Sequence, residues 1–193
     1  MTAEQKTGLR ALRQEPLKTI DRWQRSRVTW LVMLATVVFL GVCSWGFQYV
    51  LLMNPCERCV YQRLAVMLLM LVPLVMMLAP KNPGVRLVGY AIWLTAAVYG
   101  LDSAVAQLAD YGEFNPFSNG CSMRPTYPFD LPLHEWWPAV FMPTGLCGSD
   151  NWSFLSLNMA QWMVIVFSIY LLSAVVCAVS SVYCAFIRSK QRL

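Results

Sequence analysis

Charged residues are scarce in this sequence, and their scarcity excludes an ordinary soluble protein. Only 13% of the 193 residues are charged, while 58% are hydrophobic. A water-soluble domain of this length has too little interior to bury so many apolar side chains. The sequence also lacks internal repeats, and its single histidine, His134, does not follow a Cys-x-x-Cys motif, which excludes c-type haem attachment. The composition therefore favours a single-domain membrane protein.

Four long apolar runs occupy most of the chain. A bilayer core requires about 20 mostly apolar residues in each helix that crosses it. The runs cover about 28–53, 60–79, 87–108 and 161–187. The first is too long for the apolar region of a signal peptide and lacks a small-residue cleavage site, so we interpret it as an uncleaved anchor. The sequence predicts an all-α membrane protein, an antiparallel four-helix transmembrane bundle.

Basic residues are concentrated on one side of this predicted bundle. The net charge of +5 would suit a nucleic-acid partner, but short basic clusters beside apolar runs are typical of membrane proteins. Twelve of the fifteen basic residues belong to the side that carries both termini, namely Lys6, Arg10, Arg13, Lys18, Arg22, Arg25, Arg27, Lys81, Arg86, Arg188, Lys190 and Arg192. Since cytoplasmic segments carry the basic excess, we expect residues 1–27 to form a cytoplasmic tail. The loops of about 54–59 and 109–160 are then periplasmic, at a bacterial inner membrane.

The seven cysteines divide between loops and spans. Four lie in the predicted periplasmic loops, where disulfides persist, namely Cys56, Cys59, Cys121 and Cys147. The other three, Cys43, Cys177 and Cys184, lie in apolar spans and are interpreted as packing residues. A disulfide between Cys177 and Cys184 is excluded, because seven residues of helix separate them by about 10.5 Å and a disulfide tolerates only about 7 Å between Cα atoms.

The motif Cys56-Glu57-Arg58-Cys59 carries the clearest chemical signal. Pro55 favours an extended approach, and Cys59 begins an apolar helix. A thiol at a helix N-terminus lies near unpaired N–H groups and the positive end of the helix dipole, which both favour the reactive thiolate. A structural disulfide or half of a zinc site would use the same spacing. The position of the motif at the membrane edge favours redox chemistry over both.

Arg63 follows Cys59 by four residues and is expected on the same face of the helix, about 6 Å deeper. A cation inside the hydrocarbon needs a partner or must reach the interface. Two interpretations remain open at this point. Either Arg63 snorkels to the interface, or it donates to a carbonyl group or an anion beside the Cys59 sulfur.

The second predicted periplasmic segment is irregular and rich in proline. It contains six of the eleven prolines, and Pro125 favours an extended conformation near Cys121. Such a strand could occupy the groove of a partner protein and offer its sulfur. The alternative is a structural disulfide that stabilises the loop by about 3 kcal/mol. Aromatic residues between His134 and Phe141 predict a short helix on the membrane surface, because aromatic rings favour that depth.

Three stretches of the sequence resemble the DsbB family of disulfide bond formation proteins. They are Asn54-Pro55-Cys56-Glu57-Arg58-Cys59-Val60-Tyr61-Gln62-Arg63, Trp137-Pro138-Ala139-Val140-Phe141 and Met159-Ala160-Gln161-Trp162. The resemblance extends over most of Trp30–Ile187, and it includes the four spans and the cysteine pair of the second loop. The long basic N-terminal tail and the charged Glu57-Arg58 pair are more similar to the DsbI branch of this family.

The resemblance implies a thiol:quinone oxidoreductase. Cys121 would form a mixed disulfide with a periplasmic DsbA-like oxidase of thioredoxin fold, which is DsbL for the DsbI branch, and Cys147 would complete this outer disulfide. Cys56 and Cys59 would form the second redox-active disulfide. Cys59 would contact a membrane quinone, ubiquinone or menaquinone, and Arg63 would help to hold its ring.

One part of the family pattern is missing from this chain. Some relatives place a histidine near the quinone, but residues 104–110 contain no basic residue. Gln107 is only a weak substitute for it, so the sequence leaves this side of the predicted quinone pocket undefined.

Three other functions share part of the pattern. A vitamin K epoxide reductase-like enzyme also combines a four-helix bundle, a Cys-x-x-Cys motif and a quinone, but its motif normally lies late in the chain. A tetraspan scaffold would use loop disulfides only as structural cross-links. A metal-binding membrane protein would use the cysteines as ligands.

Overall fold

The computed structural model describes residues 15–111, 124–145 and 152–190. These ranges contain seven α-helices, one short 3₁₀-helix and a two-stranded antiparallel hairpin. In chain order the elements are α1 (Pro16–Gln24), α2 (Arg27–Tyr49), α3 (Glu57–Leu78), α4 (Pro83–Asp110), the 3₁₀-helix Pro128–Asp130, α5 (Leu133–Trp136), α6 (Pro138–Phe141), β1 (Ser153–Phe154), β2 (Leu157–Asn158) and α7 (Met159–Lys190).

Four of these helices, α2, α3, α4 and α7, are long and apolar enough to cross a membrane. This finding confirms the predicted all-α membrane bundle. Helix α2 packs on α3, α3 packs on α4, and α4 packs on α7. We call the end of the bundle that carries Cys56 and Cys59 the cysteine end, and the end that carries Gln24 and Lys190 the tail end.

Side chains at the N-caps define where three of the long helices begin. Ser26, Cys56 and Asn82 precede α2, α3 and α4, and each accepts a hydrogen bond from a backbone N–H in the first turn. These bonds satisfy N–H groups that have no partner within the helix. Helix α2 ends at Tyr49, before the end of the predicted apolar run, and Leu52 adopts a φ of 52° as the chain turns towards α3.

Small residues allow α4 to pack closely between α3 and α7. The fully buried alanines of α4 are Ala96, Ala97 and Ala104. A Cβ atom on Gly89 would lie 2.5 Å from the methyl carbon of Met76 in α3, and Gly100 is equally confined by the ring of Phe167 in α7. Close approach at small residues is a common way for helices to pack within membranes.

The second loop segment packs on the first turns of α3. Val60, Tyr61, Tyr127 and Phe141 form a buried cluster. The Tyr61 hydroxyl accepts a hydrogen bond from the backbone N–H of Thr126 at 2.9 Å, and the Tyr127 hydroxyl donates to the carbonyl of Phe141 at 2.7 Å. Burial raises the pKa of Tyr127, so its hydroxyl stays protonated as a donor. The loop is therefore attached to the helix that carries the cysteine motif.

Two short helices, α5 and α6, lie where the sequence predicts a short helix. They are separated at Trp137, whose φ of −136° is not helical. The break has a local cause, because Pro138 disfavours the helical conformation of the residue before it. Trp136 and Trp137 are both largely exposed.

A helix that the sequence analysis did not predict, α1, covers the tail end. It packs on α7 and on the beginning of α2. Arg86, which the sequence analysis assigned to the turn between the second and third spans, instead lies in the first turn of α4 and is buried. Its guanidinium lies 2.9 Å from the Asp21 carboxylate and donates to Gln24. Burial raises the pKa of Asp21, but hydrogen bonds from Arg25 and Arg86 outweigh it and hold this pKa below its usual value.

Candidate redox site

The two cysteines of the motif lie together at the N-terminus of α3. Their sulfur atoms are 2.8 Å apart, so the two side chains are close enough to form a disulfide. Cys56 is the N-cap, and its sulfur accepts the backbone N–H of Cys59 at 3.3 Å. Cys56 is 4% exposed, and Cys59 is half-buried. The helix N-terminus therefore provides the electrostatic environment that stabilises a thiolate.

Two buried glutamines extend this environment from α3 to α4. The Gln107 side-chain amide donates to the sulfur of Cys59 at 3.5 Å and to that of Cys56 at 3.8 Å. Its oxygen accepts a hydrogen bond of 2.7 Å from the Gln62 amide. The contact of Gln107 with the two sulfurs was not predicted from the sequence. A signal was available, because an amide within an apolar helix must find a hydrogen-bond partner when it is buried.

Arg63 lies inside the protein rather than at its surface. It is 9% exposed, its Nε donates to Ser44 Oγ at 3.1 Å, and one Nη donates to the carbonyl of Val140 at 3.1 Å. These bonds join α2, α3 and α6 around the guanidinium. Of the two interpretations left open by the sequence, the geometry favours a side chain that donates within the bundle.

The charged residues between the two cysteines form contacts within α3 and with α4. A Glu57 carboxylate oxygen accepts a hydrogen bond of 2.7 Å from Tyr61. Arg58 Nε lies 3.5 Å from the carboxylate of Asp110 at the end of α4. Arg58 thus connects the cysteine motif to α4, and Glu57 bonds to the Tyr61 hydroxyl that accepts the N–H of Thr126 from the loop.

An apolar cavity of about 630 Å³ adjoins the cysteine pair. It occupies the cysteine half of the cleft between α2 and α7, and beyond it a 2.8 Å hydrogen bond between Thr36 and Tyr170 joins these helices. Both motif cysteines line the cavity, and most of the remaining lining is apolar or aromatic. Its polar side chains include Ser44, Gln48, Gln62 and Arg63. The site therefore places a sulfur pair beside an apolar space with a few polar side chains, and such a space has the usual composition of a ligand pocket.

The loop before Cys147 is held directly beside the motif. The backbone N–H groups of Thr144 and Gly145 donate to the carbonyl of Pro55 at 2.9 and 3.0 Å. A Cβ atom on Gly145 would lie 2.5 Å from the carbonyl oxygen of Asn54. Cys121 and Cys147 themselves lie outside the described residues, so their predicted disulfide stays a prediction.

The remaining candidate residues have no shared site in the described ranges. Cys43 is half-buried in α2 and lines the cavity, whereas Cys177 and Cys184 are in α7 near α1. His134 stacks against Tyr127 with ring centroids 6.3 Å apart. Within residues 15–111, 124–145 and 152–190, no group of three or more metal-ligating side chains is close enough to hold a metal ion.

Fold and site together define a multi-pass membrane protein with a dithiol beside an apolar cavity. The chain belongs to the DsbB family, because the family model described as disulfide bond formation protein DsbB matches residues 26–177. Disulfide bond formation protein B of Shewanella sp. (strain MR-4) is 40% identical over 157 residues, which are 81% of this chain and 89% of the relative. The protein of the same name from Vibrio cholerae serotype O1 is 35% identical over 164 residues, which are 85% of this chain and 94% of the relative.

Proposed function

We propose that this protein is a thiol:quinone oxidoreductase that reoxidises a DsbA-like periplasmic oxidase. In the net reaction, a partner dithiol becomes a disulfide and a membrane quinone becomes a quinol. Two electrons and two protons leave the partner, and the quinone takes up the same number. The observation that carries this proposal is the position of the Cys56 and Cys59 sulfurs at an apolar cavity beside the buried Arg63.

The first step is thiol–disulfide exchange at the loop cysteines. A partner thiolate attacks the disulfide between Cys121 and Cys147, and the S–S bond breaks as a mixed disulfide forms at Cys121. The second partner thiolate then displaces Cys121 and leaves the partner oxidised. Both electrons now reside on Cys121 and Cys147. This assignment follows the family pattern in the sequence.

The second step transfers the electrons to the motif cysteines. A loop-cysteine thiolate attacks the Cys56–Cys59 disulfide, and the second loop thiol completes the exchange. The contact of Gly145 with Pro55 supports this step, because Cys147 is two residues from Gly145 and Cys56 directly follows Pro55. Two residues extend at most about 7 Å. These hydrogen bonds and the short distance along the chain therefore support electron transfer between Cys147 and the motif cysteines.

The third step occurs at the cavity. A quinone bound there supplies a two-electron, two-proton acceptor. The Cys59 thiolate delivers the electron pair as the bond to Cys56 forms again, and the protons of the two thiols balance those taken up on reduction. Gln107 donates to the sulfurs. In this proposal Arg63 donates to a ring carbonyl, because a guanidinium carries five N–H donors and only two of them bond to Ser44 and Val140.

The cavity suits a quinone in size and chemistry. Its apolar and aromatic walls, which include Met67, Trp152 and Trp162, match a ring with an isoprenoid tail, and Arg63 with Ser44 forms a polar region for the ring oxygens.

The cysteine end is periplasmic in this proposal, and both termini are cytoplasmic. The charged Glu57-Arg58 pair suits the DsbI branch, with a DsbL-type partner.

The direct test is to mix the purified protein in quinone-loaded nanodiscs with a reduced partner of thioredoxin fold. We expect the ultraviolet absorbance of the quinone to fall as the partner becomes oxidised, with one quinol formed for each partner disulfide. Discs loaded separately with ubiquinone and menaquinone identify the acceptor. A tetraspan scaffold would leave the absorbance unchanged, and its disulfides would stay inert to thiol trapping, which would refute the proposal.

Replacing Arg63 with alanine is expected to raise the apparent KM for quinone about tenfold, with a smaller effect on kcat. A hydrogen bond from a charged donor contributes about 1.5–3 kcal/mol, and 1.4 kcal/mol corresponds to a factor of ten. Arg63→Lys keeps the charge without the planar donor group and should give an intermediate KM. Steady-state rates at varied quinone in nanodiscs measure this, and an unchanged KM in Arg63→Ala would remove Arg63 from the quinone site.

Replacing Gly145 with alanine is expected to slow transfer between the two cysteine pairs about fivefold. The new Cβ would collide with the Asn54 carbonyl, and overpacking of this kind costs about 1 kcal/mol or more. Rapid alkylation followed by mass spectrometry separates the steps. The loop cysteines should become reduced at the normal rate, and the motif cysteines more slowly.

The matched control is Gly46→Ala in α2, where an added Cβ has no atom within 4 Å. In this variant, the loop cysteines and the motif cysteines should both become reduced at the wild-type rates. Equal rates of inter-pair transfer in Gly145→Ala and Gly46→Ala would contradict a role for the docked loop.

A further inference from the structure

Helix α1 has three chemically different sides. Successive residues of a helix are about 100° apart, so Ile20 and Trp23 lie on one side, and Lys18 and Arg22 lie on nearly the opposite side. Trp23 is 47% exposed although it belongs to the apolar side, and Lys18 and Arg22 are exposed as well. A helix in water would turn its apolar side towards the protein.

The side that faces the bundle is polar. Asp21 and Gln24 are buried there. Asp21 forms ion pairs with Arg86 at 2.9 Å and with Arg188 at 2.6 Å. Gln24 accepts a hydrogen bond of 2.7 Å from Arg86 and donates to the carbonyl of Cys177 at 3.2 Å. The bundle therefore holds α1 by ion pairs and hydrogen bonds and leaves Trp23 exposed and Ile20 half-buried on its apolar side.

The position of α1 along α7 corresponds to the edge of a bilayer. The carbonyl of Leu17 accepts hydrogen bonds from Ser180 and Cys184. These residues lie about 32 and 38 Å along α7 from Met159, because each helical residue advances about 1.5 Å. The hydrocarbon core is about 30 Å thick. With Met159 at one boundary of the hydrocarbon core, α1 therefore lies at the opposite boundary.

The apolar side and the basic side of α1 both adjoin exposed residues of the same kind on neighbouring parts of the protein. Exposed apolar side chains on the adjoining turns of α2 and α7 include Val28, Leu31, Val182 and Phe186. Exposed basic side chains at the same end are Arg27, Lys81 and Lys190. Apolar side chains beside lysine and arginine are typical of helices at an anionic lipid surface.

From these observations we infer that α1 is an interfacial helix that binds the lipid leaflet at the tail end of the bundle. Ile20 and Trp23 insert at the boundary between acyl chains and headgroups, Lys18 and Arg22 bind the phosphates of anionic phospholipids, and the Asp21 and Gln24 side attaches the helix to α4 and α7. This surface is independent of the cysteine site and of the proposed quinone reaction.

The test uses the full-length protein labelled with 5-fluorotryptophan in nanodiscs containing phosphatidylglycerol. The ¹⁹F signal of Trp23 is assigned from its loss in Trp23→Phe. We expect a phosphatidylcholine with a nitroxide near the top of its acyl chain to broaden this signal away, and an aqueous gadolinium chelate to leave it visible. Buried Trp93 is the matched control. Neither agent should broaden the Trp93 signal as much as the nitroxide broadens that of Trp23.

Two outcomes would overturn the inference. A Trp23 signal that gadolinium removes and the nitroxide spares would place α1 in water. A signal insensitive to both agents would mean that another part of the chain or a second copy covers Trp23.

The anionic part of the inference has its own variant, Lys18→Gln combined with Arg22→Gln. In the wild type, amide hydrogen exchange of residues 16–24 should be slower in discs with phosphatidylglycerol than in discs of phosphatidylcholine alone. The double variant should lose this difference. Equal exchange of the wild type in both lipids would overturn the role of anionic headgroups.

Discussion

Replacing Cys59 with serine is expected to abolish quinone reduction. Cys59 lies in the first turn of α3 and lines the cavity, and its sulfur lies 2.8 Å from that of Cys56. A serine hydroxyl can neither form a disulfide nor leave a stable anion at neutral pH, so no electron pair can pass from the loop cysteines to the acceptor. Stopped-flow absorbance of the quinone, after mixing with a reduced partner of thioredoxin fold, measures the loss.

The matched control is Cys177→Ser, a cysteine-to-serine change within α7 that does not line the cavity. It should keep the wild-type rate of quinone reduction. In Cys59→Ser the partner should still exchange one disulfide equivalent with the loop cysteines and then stop. Continued turnover in Cys59→Ser would show that electrons reach the quinone by another route, and the proposed order of steps would be wrong.

The four-helix bundle could be predicted from the sequence because its cause is local. Each apolar run is long enough to cross a bilayer by itself. The boundaries were less exact, because the span predicted from residue 87 belongs to a helix that begins at Pro83 after the N-cap Asn82. The cysteine motif was also recognisable from a local pattern, since its chemistry depends on a spacing of three residues at a helix start. These features do not depend on which helices are neighbours.

Features that depend on helix pairing could not be predicted in the same way. Arg86 directly precedes the third predicted apolar run and was therefore assigned to the turn before it. It is instead buried, because its partners Asp21 and Gln24 come from a segment more than sixty residues away. Similarly, the bond from Gln107 to the sulfurs exists only because α4 packs on α3. The position of the Gln107 amide within an apolar span indicates that it has a hydrogen-bond partner, but the sequence does not show which residue that partner is.

The packing of α3 gives the cysteine pair two different surroundings. On one side, α4 supplies the amide of Gln107 to both sulfurs. On the other side, the cleft between α2 and α7 supplies the apolar cavity, with Arg63 one turn deeper than Cys59. This arrangement separates stabilisation of the sulfur anion from binding of the acceptor, so the two contributions can be changed independently by substitution.

Replacing Gln107 with leucine is therefore expected to lower the reactivity of the motif cysteines about tenfold to hundredfold without changing quinone affinity. A hydrogen bond to a charged group contributes about 1.5–3 kcal/mol, and removal of the amide withdraws such a bond from the thiolate. The rate of alkylation of Cys59 in the reduced, quinone-free protein, followed by mass spectrometry across pH, measures reactivity directly. The rate should fall at neutral pH and recover as the pH is raised, because alkali forms the thiolate without the donor.

Gln107→Glu separates this effect from a general disturbance of the core. The carboxylate keeps an acceptor for the Gln62 amide, which donates to Gln107 at 2.7 Å, but it cannot donate to sulfur when ionised. It should therefore lower the alkylation rate at least as much as leucine does. If Gln107→Glu alkylates at the wild-type rate while Gln107→Leu is slow, the loss in the leucine variant comes from the unpaired Gln62, and the bond from Gln107 to the sulfurs has no part in activating Cys59.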